Sequence, residues 1–170
     1  GVVRINASSS TGQLLLVPLV GQLMQTYPEL VLDLSFTDQV VDLMEAQADI
    51  ALRWGKLPAS DMVARLLGYT RQVMLASPAY LAAHGTPQTP ADLMRHTRIG
   101  WNYQRAVPHW PFTEGGKPVE IPIGETLRVN DGDVMRNLAV QGAGIARLSL
   151  FHAWADIAAG RLQVVLEPFN

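Results

Sequence analysis

The sequence predicts an α/β chain of two lobes, and three observations carry that prediction. Residues 2–7 (VVRINA) read as a strand running straight into a Ser/Thr stretch and then a helical pattern. Residues 31–36 (VLDLSF) alternate apolar and polar, which makes a second strand and completes a parallel βαβ unit. After about residue 70 the texture changes, and short extended segments, capped helices and a Gly-Gly hairpin replace the clean βαβαβ run.

In the first lobe, Leu15, Leu16, Leu19, Val20, Leu23 and Met24 recur at helical spacing. Pro18 lies inside that pattern, so the helix is expected to start late or to kink there. Tyr27-Pro28 stops it. Thr37-Asp38 opens a short helix through Val40, Val41, Leu43 and Met44. A strand over Asp49 to Arg53 follows and ends at Trp54-Gly55. Residues 56–62 are turn-like, and 63–67 and 72–76 are extended around Gly68.

The second lobe is punctuated by caps. Ser77-Pro78 starts a short helix through Tyr80 and Leu81, because Ser accepts from early backbone N–H groups and Pro suits the first turn. Thr89-Pro90-Ala91-Asp92-Leu93 repeats that signal. Residues 97–103 form a strand, and Gly115-Gly116 sits between extended flanks as a hairpin turn. Thr126 to Val129 is a strand. Asn130-Asp131 caps a helix over Val134, Leu138 and Ala139, which ends at Gly142-Ala143-Gly144. A strand over Ile145 to Leu148, a helix over 150–159, a stop at Gly160 and a strand over Leu162 to Leu166 complete the chain.

Composition narrows the function. The 170 residues are 48% hydrophobic and 16% charged, the balance of a globular chain. A net charge of −2 gives no basic face for a phosphate backbone. The absence of Cys removes disulfides, thiolate catalysis and cysteine-ligated zinc. No apolar run reaches the ~18 residues of a membrane span, and no export signal is seen. His84, His96, His109 and His152 lie far apart in turn or helix-end contexts, without metal spacing. There is no nucleophile elbow, P-loop or dinucleotide fingerprint. Asp131 and Asp133 read as charges at a helix N-terminus. No catalytic residue, metal or cofactor is expected.

In open parallel sheets, ligands bind beyond the carboxyl ends of the strands. Ser8 to Thr11 stand at the first such end, immediately before a helix, where N–H groups and the dipole favour an anion. One of them could equally be an ordinary N-cap. Arg53 and Arg147 interrupt apolar strands, and each suits either a rim salt bridge or a carboxylate ligand. Trp101 and Tyr103 line a pocket or belong to the core.

Several segments together resemble the effector-binding domain of LysR-type transcriptional regulators. They are residues 1–28 (GVVRINASSSTGQLLLVPLVGQLMQTYP), 49–55 (DIALRWG), 61–68 (DMVARLLG), 76–87 (ASPAYLAAHGTP), 90–96 (PADLMRH), 142–146 (GAGIA) and 160–166 (GRLQVVL). The resemblance implies two Rossmann-like lobes joined by two crossover strands, as in type 2 periplasmic binding proteins. Lobe I would comprise residues 1–70 and 164–170, and lobe II residues 71–163. The crossings fall near Tyr69 to Val73 and Leu162 to Leu166. Effector contacts carry over to Ser9, Ser10, Thr11, Thr37 and Asp38, and to Asn102, Tyr103 and Gln104 in the second lobe. Arg53, Trp54, Asn130 and Arg147 are further contributors. Where the family often has an apolar residue and then Pro, this chain has Arg147 and Ser149, which would suit an acidic effector.

The resemblance further implies a cytoplasmic ligand sensor and not an enzyme. A homodimer would pair through the first helix, including Leu19, Leu23 and Met24. DNA would be bound only by a winged helix-turn-helix preceding Gly1, and a closing strand and helix would follow Asn170. A free-standing solute-binding protein would share the fold but need an export signal. An enzyme on this fold would need a nucleophile or an acid/base set.

Overall fold

The computed structural model describes residues 1–38, 47–55, 63–103 and 106–170. They fall into two compact units, Gly1–Tyr69 and Thr70–Asn170. The helix expected over Val40 to Met44 and the turn over 56–62 lie outside the described residues.

In the first unit, β1 (Val2–Ala7) is central, with β2 (Val31–Phe36) on one side and β3 (Ile50–Ala51) on the other. Both pairings are parallel, and β1 meets β2 from Val2↔Val31 to Ala7↔Phe36. All three strands therefore deliver their carboxyl ends to one edge. β3 is shorter than the expected Asp49 to Arg53. Asp49 precedes it and spends its carboxylate on the Arg4 backbone N–H at 2.8 Å.

Helix α1 covers residues 9–26 and is not uniform. An α-turn (Ser9–Thr11) leads into a π-helical stretch (Gly12–Leu16) and then a regular helix (Val17–Thr26). Pro18 explains the break. It has no N–H for the carbonyl four residues back, and its ring would strike that carbonyl in a tight helix. A wider turn immediately before it removes the conflict, and Pro18 then stands in the first turn of the regular segment, where its missing N–H costs least. The regular segment buries no residue, and Leu19 remains 57% exposed. Its apolar side borders a groove of about 340 Å³ against β1 and β2, lined by Leu16, Leu19, Val20 and Leu23.

In the second unit, β4 (Gln72–Ala76) lies between β9 (Ala146–Ser149) and β10 (Gln163–Val165), antiparallel to both. β5 (Ile99–Trp101) pairs in parallel with β8 (Leu127–Val129). Ile99 N donates to Ile145 O and Ile145 N to Thr97 O, so β10, β4, β9, β5 and β8 form one continuous layer. That junction needs Gly144, since a Cβ there would lie 2.5 Å from the Thr97 carbonyl oxygen. Val73 to Ala76 are fully buried, which explains their unbroken apolar run.

Two cores sandwich this layer. On one side Met74, Ala76, Tyr80, Leu93 and Ile145 meet Trp110, Phe112 and Ile121 of the hairpin β6 (His109–Glu114) and β7 (Lys117–Pro122). On the other, Val73, Leu75, Ala146 and Leu148 meet Met135 of α3 (Gly132–Val140) and Ala153 of α4 (Leu150–Ala158). The hairpin turns at Gly115-Gly116, both at positive φ, as its sequence predicts. Ser77 caps α2 (Pro78–His84) by accepting from Tyr80 N, and Asp131 caps α3 by accepting from Val134 N. Thr89 and Asp92 form a capping box on the 3₁₀ turn Pro90–Arg95. Residues 164–170 were assigned with lobe I by the sequence; Val164 and Val165 instead pair with Leu75 and Met74 inside the second unit.

Candidate functional site

The carboxyl edge of the first sheet gathers the residues the sequence singled out there. Ser9, Ser10 and Thr11 open α1 directly after β1, Thr37 and Asp38 follow β2, and Arg53 and Trp54 follow β3. Asp38 Oδ1 accepts from the Ser9 N–H at 3.0 Å, so a carboxylate from the neighbouring strand occupies the start of the helix. Ser8 stands at the N-cap but makes no side-chain cap bond; its hydroxyl bonds to that of Thr11 at 2.6 Å. The ordinary N-cap reading of the Ser/Thr stretch therefore does not describe this helix. Trp54 Nε1 donates to Thr11 Oγ1 at 2.6 Å, and Gln13 donates to Ser9 Oγ at 3.1 Å. Thr37 N donates to Ala7 O at 3.0 Å. The Ser10 hydroxyl takes part in none of these bonds.

Arg53 donates to Asn6 Oδ1 at 2.5 Å and to the Leu52 carbonyl. Asn6 was missed by the sequence reading. An Asn between Ile5 and Ala7 at the end of β1 was the available signal, because buried polar groups require partners.

In the second unit, β5, β8 and β9 run in the same direction and bring Asn102 and Tyr103, Asn130, and Arg147 toward one edge. Asn102 N continues the ladder by donating to Val129 O at 2.9 Å. Trp101 and Tyr103 pack ring to ring at 5.3 Å. Gln104 lies outside the described residues. Nε of Arg147 is buried without a hydrogen-bond partner. Burial pushes its guanidinium below the usual arginine range, as expected where no counter-charge offsets the desolvation.

His152, read from the sequence as a turn or helix-end residue, lies in the first turn of α4. It is buried on α4 and bonds through Nε2 to Asp133 Oδ1 of α3 at 2.7 Å. Beside it, Asp156 is 2% exposed and accepts from Arg136 and Arg161, each at 2.6 Å. No nucleophile joins these groups among the contacts above, and they tie α3 to α4. Among the described residues no cluster of His, Cys, Asp and Glu could hold a metal ion. No helix among them is long and apolar enough to cross a membrane. The groove beside α1 is lined mainly by apolar side chains, with Gln22, Thr26 and Tyr27 among them.

The family model for the LysR substrate-binding domain matches residues 1–170. The chain is 36% identical over 179 residues to the HTH-type transcriptional regulator CrgA of Neisseria meningitidis serogroup C, covering all of this chain and 59% of that protein. It is 31% identical to an HTH-type transcriptional regulator of Xanthomonas campestris, covering all of this chain and 51% of that one. The chain thus spans little more than half the length of these curated relatives, which are named as transcriptional regulators and not as enzymes. The solved regulatory domain of CrgA superposes with a TM-score of 0.86 at 34% identity, covering 99% of this chain and 82% of that one. The chain belongs to the LysR substrate-binding-domain family and has the two-lobed, periplasmic-binding-protein-like α/β fold of the regulatory domains of LysR-type transcriptional regulators.

Proposed function

We propose that this domain senses a small acidic metabolite and passes that signal to the DNA contacts of a full-length cytoplasmic regulator. The observation that carries the reading is the convergence of Ser9, Ser10, Thr11, Asp38 and Trp54 at the carboxyl edge of a parallel sheet. Thr37 and Arg53 complete that side. Asn102, Tyr103, Gln104, Asn130 and Arg147 would supply the other lobe's contacts. The effector acts by binding one conformation of the domain better than another, which is the only way a ligand can shift such an equilibrium. DNA is contacted by a helix-turn-helix domain outside this chain. The exposed apolar face of α1, with Leu19 and Met24 about half exposed and Leu23 beside them, supports pairing of two copies.

Titration calorimetry with aromatic and aliphatic acids tests this reading. Binding without turnover is expected, and turnover of any acid contradicts it. Ser10→Ala should weaken binding by about fivefold, the worth of one hydrogen bond, and leave the melting temperature unchanged. Unchanged affinity would remove the start of α1 from the site.

A further inference from the structure

One face of the second unit's sheet carries three arginines and, among the described residues, no carboxylate partner for any of them. Side chains two apart on a strand share a face. Arg98 and Gly100 of the β5 strand line are such a pair, as are Ile145 and Arg147 on β9. Arg98 pairs with Ile145, and carrying that register two residues on sets Gly100 beside Arg147. Gly100 in turn pairs with Arg128 on β8, and the Arg128 Cγ lies 3.6 Å from the point where a Gly100 Cβ would stand. Arg147 and Arg128 therefore flank Gly100 in one cross-strand row. Ile123 fills the space over that glycine, 2.5 Å from the same point.

The partners of these arginines differ. Arg98 donates to the carbonyls of Leu93 and His96, which satisfies the end of the 3₁₀ turn. Among the described residues Arg147 and Arg128 make no such bonds, and Nε of Arg147, like that of Arg98, is buried without a hydrogen-bond partner. One row nearer the strands' carboxyl ends, the same two-residue step places Ser149, Asn102 and Asn130, all hydrogen-bonding side chains. A desolvated guanidinium without a counter-charge is costly to a fold, and an anionic ligand would offset that cost.

We propose that this face is a dianion subsite. Arg147 takes one oxyanionic group of the effector as a planar fork, Arg128 takes a second, and Ser149, Asn102 and Asn130 supply the neutral contacts. The ligand class is a compact metabolite bearing two oxyanionic groups, such as a dicarboxylate. This rests on the effector-sensing reading above and narrows it.

The test is calorimetry on the whole chain with malonate, succinate and glutarate against acetate and butyrate, and with inorganic phosphate. The expected result is that a dicarboxylate binds about tenfold or more tightly than a monocarboxylate of similar length. Arg147→Met should abolish binding of both classes. Arg128→Gln should bring the dicarboxylate down to the monocarboxylate's affinity. Arg147→Met should melt no lower than the wild type, because it removes an uncompensated buried charge; a clear drop in melting temperature would make Arg147 a structural residue and overturn the proposal. Equal binding of mono- and dianions, tightest binding by phosphate, or no dianion binding at millimolar concentration would each overturn it as well. Ser10→Ala separates the two ideas. Loss of binding in the arginine variants but not in Ser10→Ala keeps the subsite and refutes the site at the start of α1. The reverse pattern keeps that site and refutes the subsite.

Discussion

The Trp54 indole N–H donates to the Thr11 hydroxyl at 2.6 Å, joining the end of β3 to the start of α1 across 43 residues of chain. Thr11 is 2% exposed and bonds also to Ser8, so one hydroxyl holds two of the three strand ends in register with the helix. Thr11→Val keeps the shape and removes that hub. The expected cost is about 1–2 kcal/mol in urea unfolding, with an upfield move of the Trp54 indole proton in an NMR spectrum. An unmoved indole resonance would mean that the bond does not form in solution.

Asp156 anchors the second unit. Burial disfavours its charge, but hydrogen bonds and charge from Arg136 and Arg161 outweigh that and hold its pKa below the ordinary carboxylate range. The folded value is thus depressed relative to the unfolded chain. The stability it contributes is complete above about pH 4 and is lost as pH falls through the folded value. Asp156→Asn should cost about 2–3 kcal/mol at neutral pH, moderated by the half-exposed Arg161, and should flatten the acid limb of a stability profile.

His96 titrates in the same sense at higher pH. Burial lowers its pKa, and His84 and Arg95 add to the effect against the opposing pull of Asp92. Tyr80 fits a neutral ring, since its hydroxyl accepts from Thr97 N at 3.1 Å and can donate to His96 Nδ1 at 3.1 Å. Stability linked to neutral His96 is therefore full above about pH 6.5 and declines as pH falls through the folded value. A histidine NMR titration should place the His96 midpoint below the ordinary imidazole value of about 6.5. A profile of midpoint denaturant against pH should lose this component in His96→Gln.

Gly144→Ala should strike the Thr97 carbonyl and open the junction of β9 and β5. About 1–3 kcal/mol of destabilisation is expected from such overpacking. The slowed exchange of the Ile99 and Ile145 amides, which form that junction, should be lost first.

Local signals were readable in the sequence wherever the physics is local. The caps at Ser77, Thr89 and Asp131 and the Gly115-Gly116 turn follow from side chains within three residues, and each forms as expected. Pro18 announced an irregular helix, but the π-helical form of the irregularity depends on packing and was not legible. What the sequence could not show is pairing across distance. The Asp38 carboxylate at the start of α1, the burial of His152 against Asp133, and the placement of Val164 and Val165 beside β4 each join residues far apart in the chain. Arg128 gave no sequence signal because an exposed arginine on a strand is ordinary. Only the cross-strand row through Gly100 associates it with Arg147.

The central claim is that the polar strand ends bind an acidic effector without chemistry. The most direct measurement is an amide NMR titration of the chain with the acid panel, following the ligand's own spectrum in the same tube. The account predicts shifts at Ser9, Ser10 and Thr11 and at Asn102, Tyr103 and Arg147, with the ligand unchanged over time. Shifts confined to the apolar groove beside α1, or conversion of the ligand to a product, would contradict it.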